Sequence, residues 1–298
     1  MTGPTSARPQ TVLVTGGSSG IGRATAVKFG ERGARVVLLA RGRPALEEAA
    51  AEIRAAGAAD VVVCPADVTD GAAVRSVVDG AVARFGRLDV VAHCAQVMAY
   101  GRIEDVPADV FSTVVRTATD GTANVARAAL PVFRRQGEGH LVVVSSLLAS
   151  VAAPLMGSYI TAKWGQLGLV RVLQQETRDV PGIHVSAVAP GGVSTPIYSQ
   201  GATWMGSTGR PPFPVYSAER VARAVVARLA RPRRLVQSGF ANPLVIAGFR
   251  LLPGIYDTLV GPLLRTFAVA HDDVPPTEGN VFQSRPAGNA TNGKWRGL

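Results

Sequence analysis

The chain has 298 residues, is 47% hydrophobic and carries a net charge of +10 from 31 basic and 21 acidic side chains. That length and apolar content suit one α/β domain with a substantial core. The basic excess is concentrated late, since residues 199–298 hold 12 basic and 5 acidic side chains. No basic stripe with interleaved aromatics accompanies it, so a solvated Arg-rich surface is expected and nucleic-acid binding is not. Cys64 and Cys94 stand apart in apolar stretches, and neither a disulfide framework nor a metal site is expected. Residues 1–10 lack the apolar run of a signal peptide, so a reducing, cytoplasmic setting is expected.

In chain order, Thr11–Thr15 reads as a strand, Ile21–Arg32 as a helix, Arg35–Ala40 as a strand and Ala45–Ala56 as a helix. Val61–Cys64, Leu88–Ala92, Leu141–Ser145 and His184–Val188 read as further strands. Ala72–Phe85, a long stretch within 107–136, and Ser158–Asp179 read as helices. Val-rich strands with little alternation are buried on both faces, as in parallel sheets. Strand–helix repetition then gives right-handed crossovers and a doubly wound sheet, the Rossmann arrangement. Residues 195–214 form a loop-rich segment, Ala218–Ala230 a helix and Arg234–Gln237 a last strand. The expected division is a dinucleotide-binding and catalytic domain over 1–240, an apolar helical extension over 241–270 and a polar tail over 271–298.

The first strand runs directly into Gly16-Gly17-Ser18-Ser19-Gly20-Ile21-Gly22, and a helix follows. Glycines permit a tight turn and close backbone approach, and the helix N-terminus offers free N–H groups to a pyrophosphate. The second strand ends in Arg41, where a carboxylate would instead bind the ribose hydroxyls of NAD. A guanidinium there suits a 2′-phosphate, so NADP is preferred over NAD, with Arg23 as a possible second charge.

Tyr159 and Lys163 lie four residues apart on a helix and share one face. An ammonium near a phenol lowers its pKa and lets it act as an acid–base group. Ser146, 13 residues before the tyrosine, ends the preceding strand. Its hydroxyl could fix a substrate oxygen by hydrogen bonding.

These pieces, with Asp67-Val68, Tyr159-Ile160-Thr161-Ala162-Lys163 and Pro190-Gly191, resemble the short-chain dehydrogenase/reductases over about residues 10–240. The resemblance implies that Ser146 polarises a carbonyl, Tyr159 carries the proton and Lys163 supports Tyr159. It implies that Gly16, Ser18, Ser19, Gly20, Ile21 and Gly22 hold the cofactor phosphates and that Asp67 and Val68 meet the adenine. His93, Ala95, Tyr159, Lys163, Pro190, Gly191, Val193 and Thr195 complete the cofactor site by the same resemblance. A homodimer or homotetramer is implied too. The run Glu278-Gly279-Asn280-Val281-Phe282 looks like that of longer bacterial members with an extension.

Two departures bear on activity. The family's Asn-Asn-Ala-Gly becomes His93-Cys94-Ala95-Gln96, which puts a side chain where glycine is usual. A helix asparagine that supports the family's proton relay, counted from Phe111, becomes Ala118, where a water could stand in. Asn124 falls on another face of the helix.

The expected function is therefore an NADP(H)-dependent oxidoreductase interconverting a hydrophobic ketone or aldehyde and its alcohol. The competing reading is a cofactor-binding protein with little turnover, in a regulatory or scaffolding role. Tyr198, Trp204, Met205 and Phe213 either line the substrate site or pack the loop. His140 and His184 read as structural. Segment 242–270 is apolar and basic enough to touch a membrane surface, although packing on the body or in a dimer is the ordinary alternative.

Overall fold

Strands β1 (Thr11–Thr15), β2 (Arg35–Ala40) and β3 (Asp60–Pro65) alternate with helices α1 (Gly20–Gly30), α2 (Arg43–Ala55) and α3 (Gly71–Phe85) in the computed structural model, which describes residues 8–285 and 287–295. Next come β4 (Val90–His93), a short β5 (Ala99–Tyr100), α4 (Ala108–Gln136), β6 (Gly139–Val144) and α5 (Gly157–Glu176). The chain continues through β7 (Ile183–Pro190), β8 (Gly192–Val193), α6 (Ile197–Gln200), β9 (Ala202–Thr203), β10 (Val215–Tyr216), α7 (Ala218–Ala230) and β11 (Leu235–Ser238). Two helices, α8 (Asn242–Leu251) and α9 (Pro253–Ala268), follow.

The main sheet has seven parallel strands in the order β3-β2-β1-β4-β6-β7-β11. It is the doubly wound sheet of a single domain that the strand pattern predicts. Helices α1, α2 and α7 cover one face through Phe29, Ile53 and Val225, and α3, α4 and α5 cover the other through Val78, Phe133 and Val170. Val12, Leu13 and Val14 are completely buried because both faces of β1 are covered. The strand order reverses between β1 and β4, and the crevice beyond the carboxyl ends of these strands is where such folds bind ligands.

Two buried histidines hold strands in place. His93 Nδ1 lies 2.7 Å from Thr15 Oγ1, joining β4 to β1. His140 Nε2 lies 2.9 Å from Ser186 Oγ, joining β6 to β7. Burial, chiefly, pushes both rings down to about 3. Their unfolded value is near 6.5, so the unfolded chain binds more protons between pH 6.5 and 3. Stability is thus expected to be full above pH 6.5 and to fall steadily as pH drops toward 3. Thermal melts between pH 7.5 and 4.5 check this, and a flat profile would contradict it.

The apolar segment 242–270 breaks at Leu252, whose non-helical backbone (φ −132°, ψ 54°) precedes Pro253 at the start of α9. The resulting hairpin turns one face to the body and leaves Leu244, Leu251 and Ile255 exposed. No helix among the described residues is long and apolar enough to cross a membrane. The expected polar tail is irregular, but it is laid across the crevice and contacts β2, α1 and α6.

Candidate active site

The glycine turn follows β1 and opens α1. Gly16 has φ +66°, and an ideal Cβ on it would lie 2.8 Å from Ala95 Cα. A Cβ on Gly22 would lie 2.1 Å from the Gly16 carbonyl oxygen. Both positions therefore require glycine, and the turn packs directly on the chain after β4. Ser19 precedes α1 but its side chain makes no capping bond, and the first turn carries no acid. By contrast, Asp70 caps α3 by accepting from the N–H groups of Ala72 and Ala73. The start of α1 thus keeps amides and a positive dipole end suited to a pyrophosphate.

A cleft of about 750 Å³ runs from this turn past the ends of β2, β4 and β7 to the α8–α9 hairpin. Its wall includes Gly16, Ser18, Ser19, Gly20, Ile21 and Gly22, then Arg41, Asp67 and Val68. Ala95, Pro190, Gly191, Val193 and Thr195 also line it, as do Ser146, Tyr159 and Lys163. These expected residues share one continuous crevice.

His93 does not belong to that wall. The strand runs one residue further than expected, to His93 itself, and turns the ring into the sheet against Thr15. Chain from Cys94 to Met98 lines the cleft instead. Gln96 is in the wall, with its Nε2 donating to the Val97 carbonyl at 2.9 Å. Arg23 is also displaced from its expected place: it is 6% exposed and forks onto Glu52 at 2.7 and 2.8 Å.

Arg41 reaches the wall, and its guanidinium donates to the carbonyl oxygens of Val281 (2.7 Å) and Asn280. Burial lowers its pKa, and Asp67 opposes that shift. Asp67 accepts from the Thr69 N–H and hydroxyl, both at 2.8 Å, which fixes the chain after β3 at the cleft wall.

The Ser146–Tyr159–Lys163 group comes together from the end of β6 and from α5. Burial pushes the Tyr159 phenol up to about 12, and a hydrogen bond with Ser146 opposes this. Ser146 Oγ also accepts from the Leu148 N–H at 3.1 Å. Lys163 Nζ stands 5.7 Å from the Tyr159 ring centroid. Burial pulls the ammonium down to about 7. It donates to the Val144 carbonyl at 3.1 Å and to Gln166 Oε1 at 2.9 Å. Gln166 Nε2 donates onward to Thr122 Oγ1 at 3.0 Å, which donates to the Ala118 carbonyl at 2.6 Å.

That chain of polar groups answers the Ala118 departure in an unexpected way. Ala118 is fully buried in an apolar cluster with Val97, Val114, Ala162 and Val281, so its surroundings are greasy and do not suit a water. An asparagine there would bury an amide among hydrocarbon at a cost of about 1–3 kcal/mol. The residue of α4 in the cleft wall is the preceding one, Thr117.

Tyr198 and Phe213 line the cleft, whereas Trp204 and Met205 pack elsewhere in the loop. The opposite wall comes from Leu252, Ile255, Leu259 and Leu263 of the hairpin, which are also half exposed at its rim. Sequence reading missed this wall because an apolar segment does not announce what it will cover. It also missed Gln166, although a lone amide three residues after Lys163 on a buried helix face was a usable signal.

A parallel doubly wound sheet, a glycine turn at its switch point and a Ser–Tyr–Lys group in the cleft wall define a Rossmann-fold oxidoreductase. The chain belongs to the short-chain dehydrogenase family, whose sequence pattern, described as short chain dehydrogenase, matches residues 10–206. It is 34% identical over 239 residues to 11-beta-hydroxysteroid dehydrogenase 1A of Arabidopsis thaliana, covering 76% of this chain and 67% of that one. It is 39% identical over 188 residues to a versicolorin reductase of Emericella nidulans, covering 62% of this chain and 70% of the other. Among solved structures, an alcohol dehydrogenase of Thermococcus sibiricus complexed with 5-hydroxy-NADP superposes with a TM-score of 0.67 at 26% identity, over 77% of this chain and 95% of that one. A short-chain dehydrogenase/reductase of Burkholderia phymatum in complex with NAD shares the fold, with a TM-score of 0.73 over 85% and 96% of the two chains at 24% identity.

Proposed function

We propose that this protein is an NADP(H)-dependent reductase of a hydrophobic ketone or aldehyde, with Tyr159 as its proton donor. The observation that carries the reading is that Ser146, Tyr159 and Lys163 line one crevice with the glycine turn, with Lys163 Nζ 5.7 Å from the Tyr159 ring centroid. A nicotinamide dinucleotide, when bound, supplies the hydride. The residues of the turn, Arg41, Asp67, Val68 and the 190–195 segment would hold it, and Lys163 would meet its ribose. Ser146 orients the carbonyl oxygen, and the Tyr159 hydroxyl passes its proton to that oxygen. With its pKa pushed up to about 12, this hydroxyl is protonated at neutral pH, which suits a proton donor and hence the reductive direction. The apolar walls from Tyr198, Phe213 and the hairpin favour a hydrophobic substrate over a sugar or an acid. Turnover of a panel of hydrophobic carbonyls with NADPH tests the reading, and binding without turnover on any of them would favour a regulatory cofactor-binding protein.

The preference for NADP rests on Arg41 and on the absence of a carboxylate at that position. The two carbonyls bonded to Arg41 use two of its five N–H donors, leaving others for a 2′-phosphate. Arg41→Ala is expected to weaken NADPH binding by about tenfold or more relative to NADH. An unchanged NADPH/NADH affinity ratio in titrations would contradict the preference. A homodimer or homotetramer is part of the same reading, and light scattering checks it.

Gln166 acts as a positioning residue for Lys163. Its Oε1 accepts from the ammonium, which favours the charged form. Lys163 near 7 is charged below that pH and neutral above it, so reductase activity is expected to fall as pH rises through about 7. Gln166→Leu is expected to move that limb to lower pH, and Gln166→Glu to higher pH. A pH profile of kcat that both variants leave in place would reduce Gln166 to a packing role.

A further inference from the structure

We propose that C-terminal residues 277–285 and 287–295 form a working wall of the dinucleotide site, a strap latched by Arg41 and Gln200 that must lift for the cofactor to enter and leave. This rests on the cofactor reading above.

The strap is anchored at both ends. At its start, Thr277 and Thr203 exchange backbone hydrogen bonds of 3.0 and 2.9 Å, and Val281 is fully buried in the cluster around Ala118. At its end, Asn292 donates to Glu219 at 2.7 Å, Ser194 Oγ donates to the Trp295 carbonyl at 2.6 Å, and Trp295 stacks edge-on to Tyr198. Between the anchors, side chains 282–285 are exposed.

Bonds that hold the crossing come from residues of the cleft wall. Arg41 donates to the carbonyls of Asn280 and Val281. Gly20, in the phosphate turn, donates its N–H to the Ala290 carbonyl at 2.9 Å. Gln200, buried at 7% exposure, sends one amide group to Asn289 Oδ1 (3.0 Å) and toward the carbonyls of Ala287 (3.3 Å) and Arg285 (3.4 Å). The cleft lies beneath the crossing, because Asn280, Ser284, Arg285 and Asn289 line it together with the turn. The closed strap therefore occupies donors of the crevice that the cofactor would use. A dinucleotide would draw on the Gly20 amide and the Arg41 guanidinium that the closed strap uses. Exposed chain held in part by shared donors can open locally, and segments that gate binding are drawn from the low-stability end of the range.

The test is the rate of NADPH release and uptake, followed by nicotinamide fluorescence in rapid mixing. Truncation after Ser284 removes the crossing and keeps Val281 in its cluster. It is expected to speed both uptake and release by at least about tenfold. The second variant pins the strap. A Cβ on Gly42 would lie 3.2 Å from Ser284 Cβ, close to the roughly 3.5–4.5 Å of a disulfide. Oxidised Gly42→Cys/Ser284→Cys is expected to slow both rates by at least about tenfold, with recovery on adding reductant. Rates within about twofold of the parent in both variants would overturn the strap while leaving the cofactor reading intact. A parent protein that binds neither NADPH nor NADH would overturn the cofactor reading and the strap's role with it.

Discussion

Tyr159→Phe is expected to lower kcat for carbonyl reduction by at least about a hundredfold while leaving NADPH affinity within about twofold. The substitution deletes one oxygen. The ring stays in the mouth of the cleft, where it packs against the Met98–Tyr100 cluster, so the shape of the crevice survives. What is lost is the hydroxyl proposed to hand a proton to the substrate oxygen. Ser146 cannot replace it, because an aliphatic hydroxyl is a far weaker acid than a phenol. Titration with NADPH followed by steady-state turnover separates the two effects. Equal kcat in the variant would remove Tyr159 from the chemistry.

Gly22→Ala is expected to act at the other end of the cleft and to be at least as damaging. Its Cβ would stand 2.1 Å from the Gly16 carbonyl oxygen, a backbone atom of the same turn. No rotamer relieves that contact, so the turn must open or α1 must shift. Overpacking of this kind costs about 1–3 kcal/mol of stability. The amides that would cradle a pyrophosphate move with the turn, and NADPH affinity is expected to fall by at least about tenfold. Gly33→Ala is the matched control, since a Cβ there meets nothing within 4 Å; its φ of +71° carries strain but lies far from the crevice. Calorimetry on both variants checks the difference, and tight NADPH binding by Gly22→Ala would contradict the role given to the turn.

The sheet was legible because burial on both faces writes Val-rich runs directly into the chain. Val12–Val14, Val36–Leu39 and Leu141–Val144 each pack helices on two sides. The turn and the Tyr159–Lys163 pair were legible because local spacing alone sets their geometry. Long-range choices were not. Arg41 sits 240 residues from Val281 in the chain, and nothing local to either residue indicates that they meet. His93 was misassigned for a related reason: a one-residue extension of β4 decides whether its ring faces the cofactor or the sheet, and strand ends carry weak signals. The Lys163–Gln166–Thr122 chain needs α4 and α5 to be docked before it exists. What the sequence suggested as a damaged relay at Ala118 is a cluster sealed by Val281 of the strap.

The most direct test of the account is the fate of a labelled hydrogen. The protein would be incubated with a hydrophobic ketone and NADPH deuterated at the nicotinamide C4, and the alcohol analysed by mass spectrometry. The account predicts deuterium on the carbinol carbon, with label transfer at least about a hundredfold slower in Tyr159→Phe. Tight NADPH binding with no label transferred to any carbonyl of the panel would contradict it.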